Sequence, residues 1–272
     1  MNLRLKQFNN LICILFLIAL SSCEEREVDS QLKQARKLSQ SKPTEAFDEY
    51  AKIIQVRKQE PIAIKAAIEA STLCLKNKEC GEKEVFFLKF ITNNSLEEKE
   101  QIEAQKRLAE YYYDKGFYPQ AIQEMNRLLS KGNFKEGRPE IKIKLAKSNF
   151  YIKNFYQAEV ELNAYIKEAN ADSQKFEGYL LRADIQSANK KYNEAMATYK
   201  DIKDKFPDFY FKNHVYLNEV LLLEEQKLLD QAISLLEGIK DDVANAEPIE
   251  GRIERLKERR ALMPGAEGKL RR

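Results

Sequence analysis

The chain has 272 residues, with one histidine, no tryptophan, nine glycines, seven prolines and four cysteines. So few turn formers exclude a β-sandwich or barrel, whose short strands need a turn every ten residues or so. One histidine leaves too little for a histidine-rich metal centre or a Ser-His-Asp triad, and His214 has no partner ligands in the pattern around it. Neither a Gly-x-Ser-x-Gly elbow nor a His-Glu-x-x-His helix occurs. Gly132-x-x-x-x-Gly137 continues as Arg138-Pro139, where a phosphate loop needs lysine and a hydroxyl residue, and it follows no strand; it is a linker. The longest apolar run, Leu11 to Leu20, is half the roughly 20 residues that a membrane-crossing helix needs. What the chain does have is 43% hydrophobic and 33% charged residues, too apolar for a disordered protein and ordinary for a globular one. These properties predict a mostly helical protein with no cofactor, acting without catalysis.

The first segment reads as an address. Arg4 and Lys6 precede the apolar run, and Ser21, Ser22 and Cys23 lead directly into Glu24-Glu25-Arg26-Glu27, the pattern of a secretory signal. Leu20-Ser21-Ser22-Cys23 resembles the bacterial lipobox. That resemblance implies that residues 1–22 are removed and that Cys23 is acylated as the mature N-terminus, ahead of a tether over 23–30. Several acyl chains on one residue hold a protein stably where one would bind marginally. By the same resemblance, Glu24 points to the outer membrane of a Gram-negative bacterium, on its periplasmic face. Of 46 basic and 43 acidic residues, the signal removes Arg4 and Lys6 and no acid. The near-neutral remainder makes no electrostatic case for nucleic acid. Two cysteines remain in the mature body, Cys74 and Cys80. They can close a small disulfide loop in an oxidising compartment or pack as two small core thiols.

The body repeats itself. Tyr118-Pro-Gln-Ala121, Phe155-Tyr-Gln-Ala158, Tyr192-Asn-Glu-Ala195 and Leu229-Asp-Gln-Ala232 place an alanine every 37 residues. Stepping back reaches Lys83 and Ala46, so there are six units. Four and seven residues after each anchor come Tyr50/Ile53, Phe87/Phe90, Met125/Leu128, Leu162/Tyr165, Tyr199/Ile202 and Leu236/Ile239, one face of a helix. Twelve residues before the anchors lie Gln34, Ser71, Ala109, Ala146, Ala183 and Val220, on a preceding helix. Small residues on both helices of a pair allow close approach. After the last unit, Pro248 opens a helix with a narrow stripe of Ile249, Ile253 and Leu256. This helix, residues 246–263, is predicted to cap the stack, before a basic tail, 264–272, carrying Lys269, Arg271 and Arg272.

Leu108-Ala109-x-x-Tyr112 with Tyr118, Ala121 and Met125, and Ala183 with Tyr192, Ala195, Tyr199 and Pro207, resemble the tetratricopeptide repeat. The expected fold is all-α: a right-handed α-solenoid of about six such helix pairs over 31–245, closed by the capping helix. The resemblance implies a concave groove lined by the first helix of each pair. Carried onto this chain, the lining is Lys65, Ile68, Thr72 and Leu75; Glu103, Lys106, Glu110 and Tyr113; Ile143, Lys147, Phe150 and Tyr151; Leu180, Asp184 and Ser187; and His214, Leu217 and Leu221. The lysine–asparagine clamp of chaperone-binding repeats is missing, because the corresponding pairs are Lys106/Glu110, Ile143/Lys147 and Leu180/Asp184. An apolar floor with fixed charges suits a helix or extended segment of a protein partner. The whole plan resembles tetratricopeptide lipoproteins of the envelope, such as the BamD, type IV pilus pilotin and NlpI-type scaffolds. The alternatives are an envelope hydrolase acting on peptidoglycan or glycans, and a carrier of a small apolar ligand.

Overall fold

The computed structural model describes residues 30–77, 80–243 and 245–263, and among these it contains helices and no strand. The signal segment, Cys23, most of the tether and the tail from 264 lie outside the described residues. The chain divides between Lys135 and Glu136 into two compact units.

The first unit holds α1 (30–41), α2 (Pro43–Val56), α3 (Pro61–Lys76), α4 (Lys83–Asn94), α5 (Glu98–Asp114) and α6 (Tyr118–Ser130). The second holds α7 (Arg138–Tyr151), α8 (Phe155–Glu168), α9 (Asp172–Ala188), α10 (Tyr192–Lys205), α11 (Pro207–Lys212), α12 (Tyr216–Glu225), α13 (Leu229–Ile239) and α14 (Glu247–Ala261). Within each unit the helices from α2 on pack on their neighbours in sequence, except that α11 and α12 both pack on α10, giving three helix pairs of α-solenoid type per unit and α14 as the end cap. The apolar stripe of α14, Ile249, Ile253 and Leu256, is buried, and its opposite face is charged.

The anchors explain the close pairing. Ala46, Ala121, Ala158, Ala195 and Ala232 are all fully buried, each in the first turn of the second helix of its pair, with the bulky stripe one and two turns on. Two end units depart from the expected register. In α1 the buried small residue is Ala35, while Gln34 points to solvent. In α4 no small residue anchors the helix: Lys83 turns outward to pair with Asp48 at 2.6 Å, and Phe87, Leu88, Phe90 and Ile91 fill the interior. Between successive pairs the approach can be closer still. Gly178 of α9 lies so near α8 that a Cβ there would sit 2.6 Å from Ile166 Cγ1.

The scarce prolines do a specific job. Six of the seven occupy the first or second position of a helix, where the missing N–H costs nothing and the fixed φ is already helical. The scarcity of glycine is met differently. Within a pair, the first helix hands over to the second through three residues whose centre is left-handed: Gly116 (φ 75°), Lys153 (62°), Lys190 (59°) and Lys227 (60°), again 37 apart. Each turn closes with the same two backbone bonds, as in Lys190 N–H to Ser187 O (2.9 Å) and Lys191 N–H to Gln186 O (2.8 Å). Glycine enters this region freely, whereas a lysine there costs at least about 1 kcal/mol.

Two further details follow from local chemistry. Cys74 and Cys80 are joined as a disulfide, with Cα atoms 5.2 Å apart, across the turn from α3 to α4. The first helix of the sixth pair is split. Pro207 starts the short α11, Asn213 caps its end on the Phe209 carbonyl (2.9 Å), and His214 takes a left-handed φ of 52° before α12 begins. His214 therefore sits in the break, not inside a continuous helix, with its Nδ1 2.8 Å from the Tyr216 hydroxyl.

Candidate interaction surface

The lining residues expected from the sequence fall on α3 and α5 in the first unit and on α7, α9 and α12 in the second, except His214, which lies in the break before α12. On α3, Lys65 and Thr72 are exposed, Ile68 is half-buried, and Leu75 is 67% exposed at the helix end. On α5, Glu103 is exposed while Lys106, Glu110 and Tyr113 are half-buried. Ile68, Thr72 and Glu103 come together around a shallow cavity of about 360 Å³ between the two helices. Leu75 and Glu110 line a second cavity, of about 470 Å³, beside the disulfide. Lys65, Lys106 and Tyr113 line neither, and the Tyr113 ring packs edge-on against Tyr118 at 6.0 Å.

Both cavities share Arg107, a residue that helical spacing does not single out. Its Nη2 donates to the Ser71 carbonyl and to Glu84 Oε1, both at 2.7 Å, so it ties α5 to α3 and α4 at once. A guanidinium suits this position, because the two hydrogens of one terminal nitrogen reach acceptors on two different helices.

In the second unit, Ile143 is buried (5%) in a cluster with Leu162, Tyr165 and Leu181, so it is a core residue and not a lining residue. Half-turn differences decide this: the α7 face carrying Ile143 is covered by α8 and α9. Phe150 is half-buried between Tyr151 (5.6 Å between centroids) and Phe155 (6.1 Å). Tyr151 remains half exposed, Leu180, Ser187 and Leu217 are half-buried, and Leu221 is 54% exposed. Leu75 and Tyr151 thus present apolar surface at the ends of α3 and α7, and Leu221 presents it in the middle of α12.

Lys147, Glu177 and Asp184 form a charged node between α7 and α9. Lys147 Nζ donates to Glu177 Oε1 at 2.6 Å, and the Tyr165 hydroxyl donates to Glu177 Oε2 at 3.4 Å. Asp184 feels the Lys147 charge, but burial dominates and lifts its carboxyl from 3.8 to about 6. Burial, with Asp184 second, also pushes the Tyr199 hydroxyl upward. Spacing placed Lys147 and Asp184 on the right faces; only the packing of α9 on α7 joined them and added Glu177. Among the described residues no group of three or more His, Cys, Asp or Glu side chains is placed to hold a metal ion.

A tetratricopeptide repeat protein from Parabacteroides merdae superposes with a TM-score of 0.52 at 13% identity, covering 87% of this chain and 90% of its own. A putative kinesin light chain from Podosopora anserina with nearly identical TPR-like repeats gives a TM-score of 0.43 at 15% identity, covering 66% of this chain and 94% of its own. No protein-family model matches the chain, and no curated protein does. The first of these likenesses shows a tetratricopeptide-type fold.

Proposed function

We propose that this chain is a scaffold of the bacterial envelope, lipid-anchored through Cys23 and facing the periplasm from the outer membrane, that binds protein partners and performs no catalysis. The observation that carries the reading is the apolar side chain left exposed on three first helices, Leu75 and Tyr151 at the ends of α3 and α7 and Leu221 in the middle of α12. Aromatic and large aliphatic anchors beside oriented charges are what a helical or extended partner segment needs. The tetratricopeptide-type fold supports a binding role, and the lipobox pattern supports the anchor. The class of partner is a component of an envelope assembly of the barrel-insertion, secretin or peptidoglycan-adaptor kind.

The test has two parts. Cys23→Ser should move the protein from the membrane to the soluble envelope fraction; retention at the membrane would remove the lipid anchor from the reading. Crosslinking in the native cell should trap one or a few envelope proteins. Leu75→Ala with Tyr151→Ala should lose at least tenfold of that product at unchanged helicity, and undiminished crosslinking would place the partner surface elsewhere.

A further inference from the structure

The left-handed turns of the second unit point to a second surface. Lys153, Lys190 and Lys227 occupy the same position in three successive helix pairs, all exposed, with no ion pair or hydrogen bond from their side chains among the described residues. Since α7, α9 and α12 each run antiparallel to the next helix through a three-residue turn, these turns fall at one end of the unit. Contacts at that end agree: Tyr192, at the start of α10, donates to Glu225 at the end of α12 (3.2 Å), and Lys191 reaches Glu159 of α8 (3.6 Å). The acids nearby are answered from within. Glu224 is held by Arg252 and Arg259, Asp230 by Arg260, and Glu194 by Lys191. Glu225 meets only the neutral Tyr192 hydroxyl and Lys191 is shared by Glu159 and Glu194; with these counted, the turn lysines still leave this end net positive.

The same end carries apolar surface. Ile152 precedes Lys153, Leu228 follows Lys227, and Tyr156, in the first turn of α8, is 78% exposed. Lysines as point charges beside an exposed tyrosine and aliphatic side chains match a lipid headgroup layer, with phosphates outside and acyl chains beneath. An acidic protein groove would be met better by the planar forks of arginine. Glycine or asparagine would satisfy the left-handed backbone at less cost, so lysine at all three turns needs a reason beyond the turn itself.

We propose that this end of the second unit rests on an anionic lipid surface through Lys153, Lys190 and Lys227, with Ile152, Tyr156 and Leu228 seated among the headgroups. The contact goes beyond the lipid-anchored scaffold reading and does not depend on acylation of Cys23. In an anchored protein it would set which way the second unit faces.

The test is flotation of the full chain, carrying Cys23→Ser, with vesicles of phosphatidylcholine alone or mixed with phosphatidylglycerol. The comparison chain carries in addition Lys153→Gly, Lys190→Gly and Lys227→Gly, so any binding by the leader is common to both. Each lysine near such a surface is worth a factor of about five, so the triple change should weaken binding to the mixed vesicles by about a hundredfold. It should leave binding to phosphatidylcholine unchanged and should not lower the thermal midpoint, because glycine suits these turns. A charge-preserving triple change to arginine should retain binding. Equal flotation of the two chains on mixed vesicles overturns the proposal, and so does an equal loss on both kinds of vesicle. Failure of the Cys23→Ser fractionation, by contrast, would bear on the anchor alone.

Discussion

Replacing Asp184 by asparagine tests the charged node between α7 and α9. A carboxyl whose proton is held at about 6 in the folded chain, against 3.8 ordinarily, binds that proton more tightly when folded, by about 3 kcal/mol in full. The direction follows. Folded stability is greatest when Asp184 is protonated, below its ordinary value, and falls as the pH rises through about 6, because burial penalises the charge more than Lys147 rewards it. An amide at this position cannot ionise and escapes the loss. Asp184→Asn should therefore be more stable than the natural chain at pH 7.5, and its advantage should shrink by about 2 kcal/mol between pH 7.5 and pH 4. Urea unfolding followed by circular dichroism at the two pH values measures the gap, and every other carboxylate cancels in the comparison. An advantage that stays constant or grows toward acid pH would refute burial as the cause and make Asp184 a well-paired ion.

Gly178→Ala should cost about 1 kcal/mol net: overpacking against Ile166 costs about 1–3 kcal/mol and the better helix propensity returns up to about 1. Ile166→Ala in the same chain should relieve part of the loss, seen as non-additive melting temperatures. Reducing the Cys74–Cys80 bridge should lower the stability of the first unit by about 2 kcal/mol, the chain-entropy value for a loop whose ends are 6 residues apart, and urea unfolding with and without reductant checks it. Tyr210→Phe removes the hydroxyl that donates to buried Glu219 at 2.5 Å, leaving that acceptor unanswered at a cost of about 1–3 kcal/mol. Because burial already raises the Glu219 carboxyl, this loss should shrink at acid pH, where the protonated group needs less compensation; the same urea assay reads it.

The regular parts of this protein were legible because they follow from one-dimensional spacing. A buried alanine in the first turn, a bulky residue one turn later and another at seven mark a helix face whatever the neighbours are, so five anchors and the cap stand where spacing put them. The two cysteines were compatible with a bridge or with free core thiols, and only the position of the turn between α3 and α4 brought their Cα atoms to 5.2 Å. The end units were harder to read. Gln34 lies in register with the other small residues, yet Ala35, one residue on, turns inward, since a one-residue shift moves a side chain by about 100° around a helix.

By itself the sequence determined that the chain is helical, that it recurs at 37 residues and where the small residue stands in five of the second helices, because local sterics and burial on one face repeat with the chain's own period. Tertiary structure alone decided which charges meet and which apolar residues stay in water. Lys147 reaches Glu177 only because α9 packs on α7, Arg107 clamps three helices at once, and Ile143 is covered where Tyr151, eight residues on, is not. Such outcomes depend on distances between residues far apart in sequence, which no spacing rule along one helix contains. The lysines at the left-handed turns belong to both: their interval is written in the sequence, and their positive φ and gathering at one end exist only once the pairs have stacked.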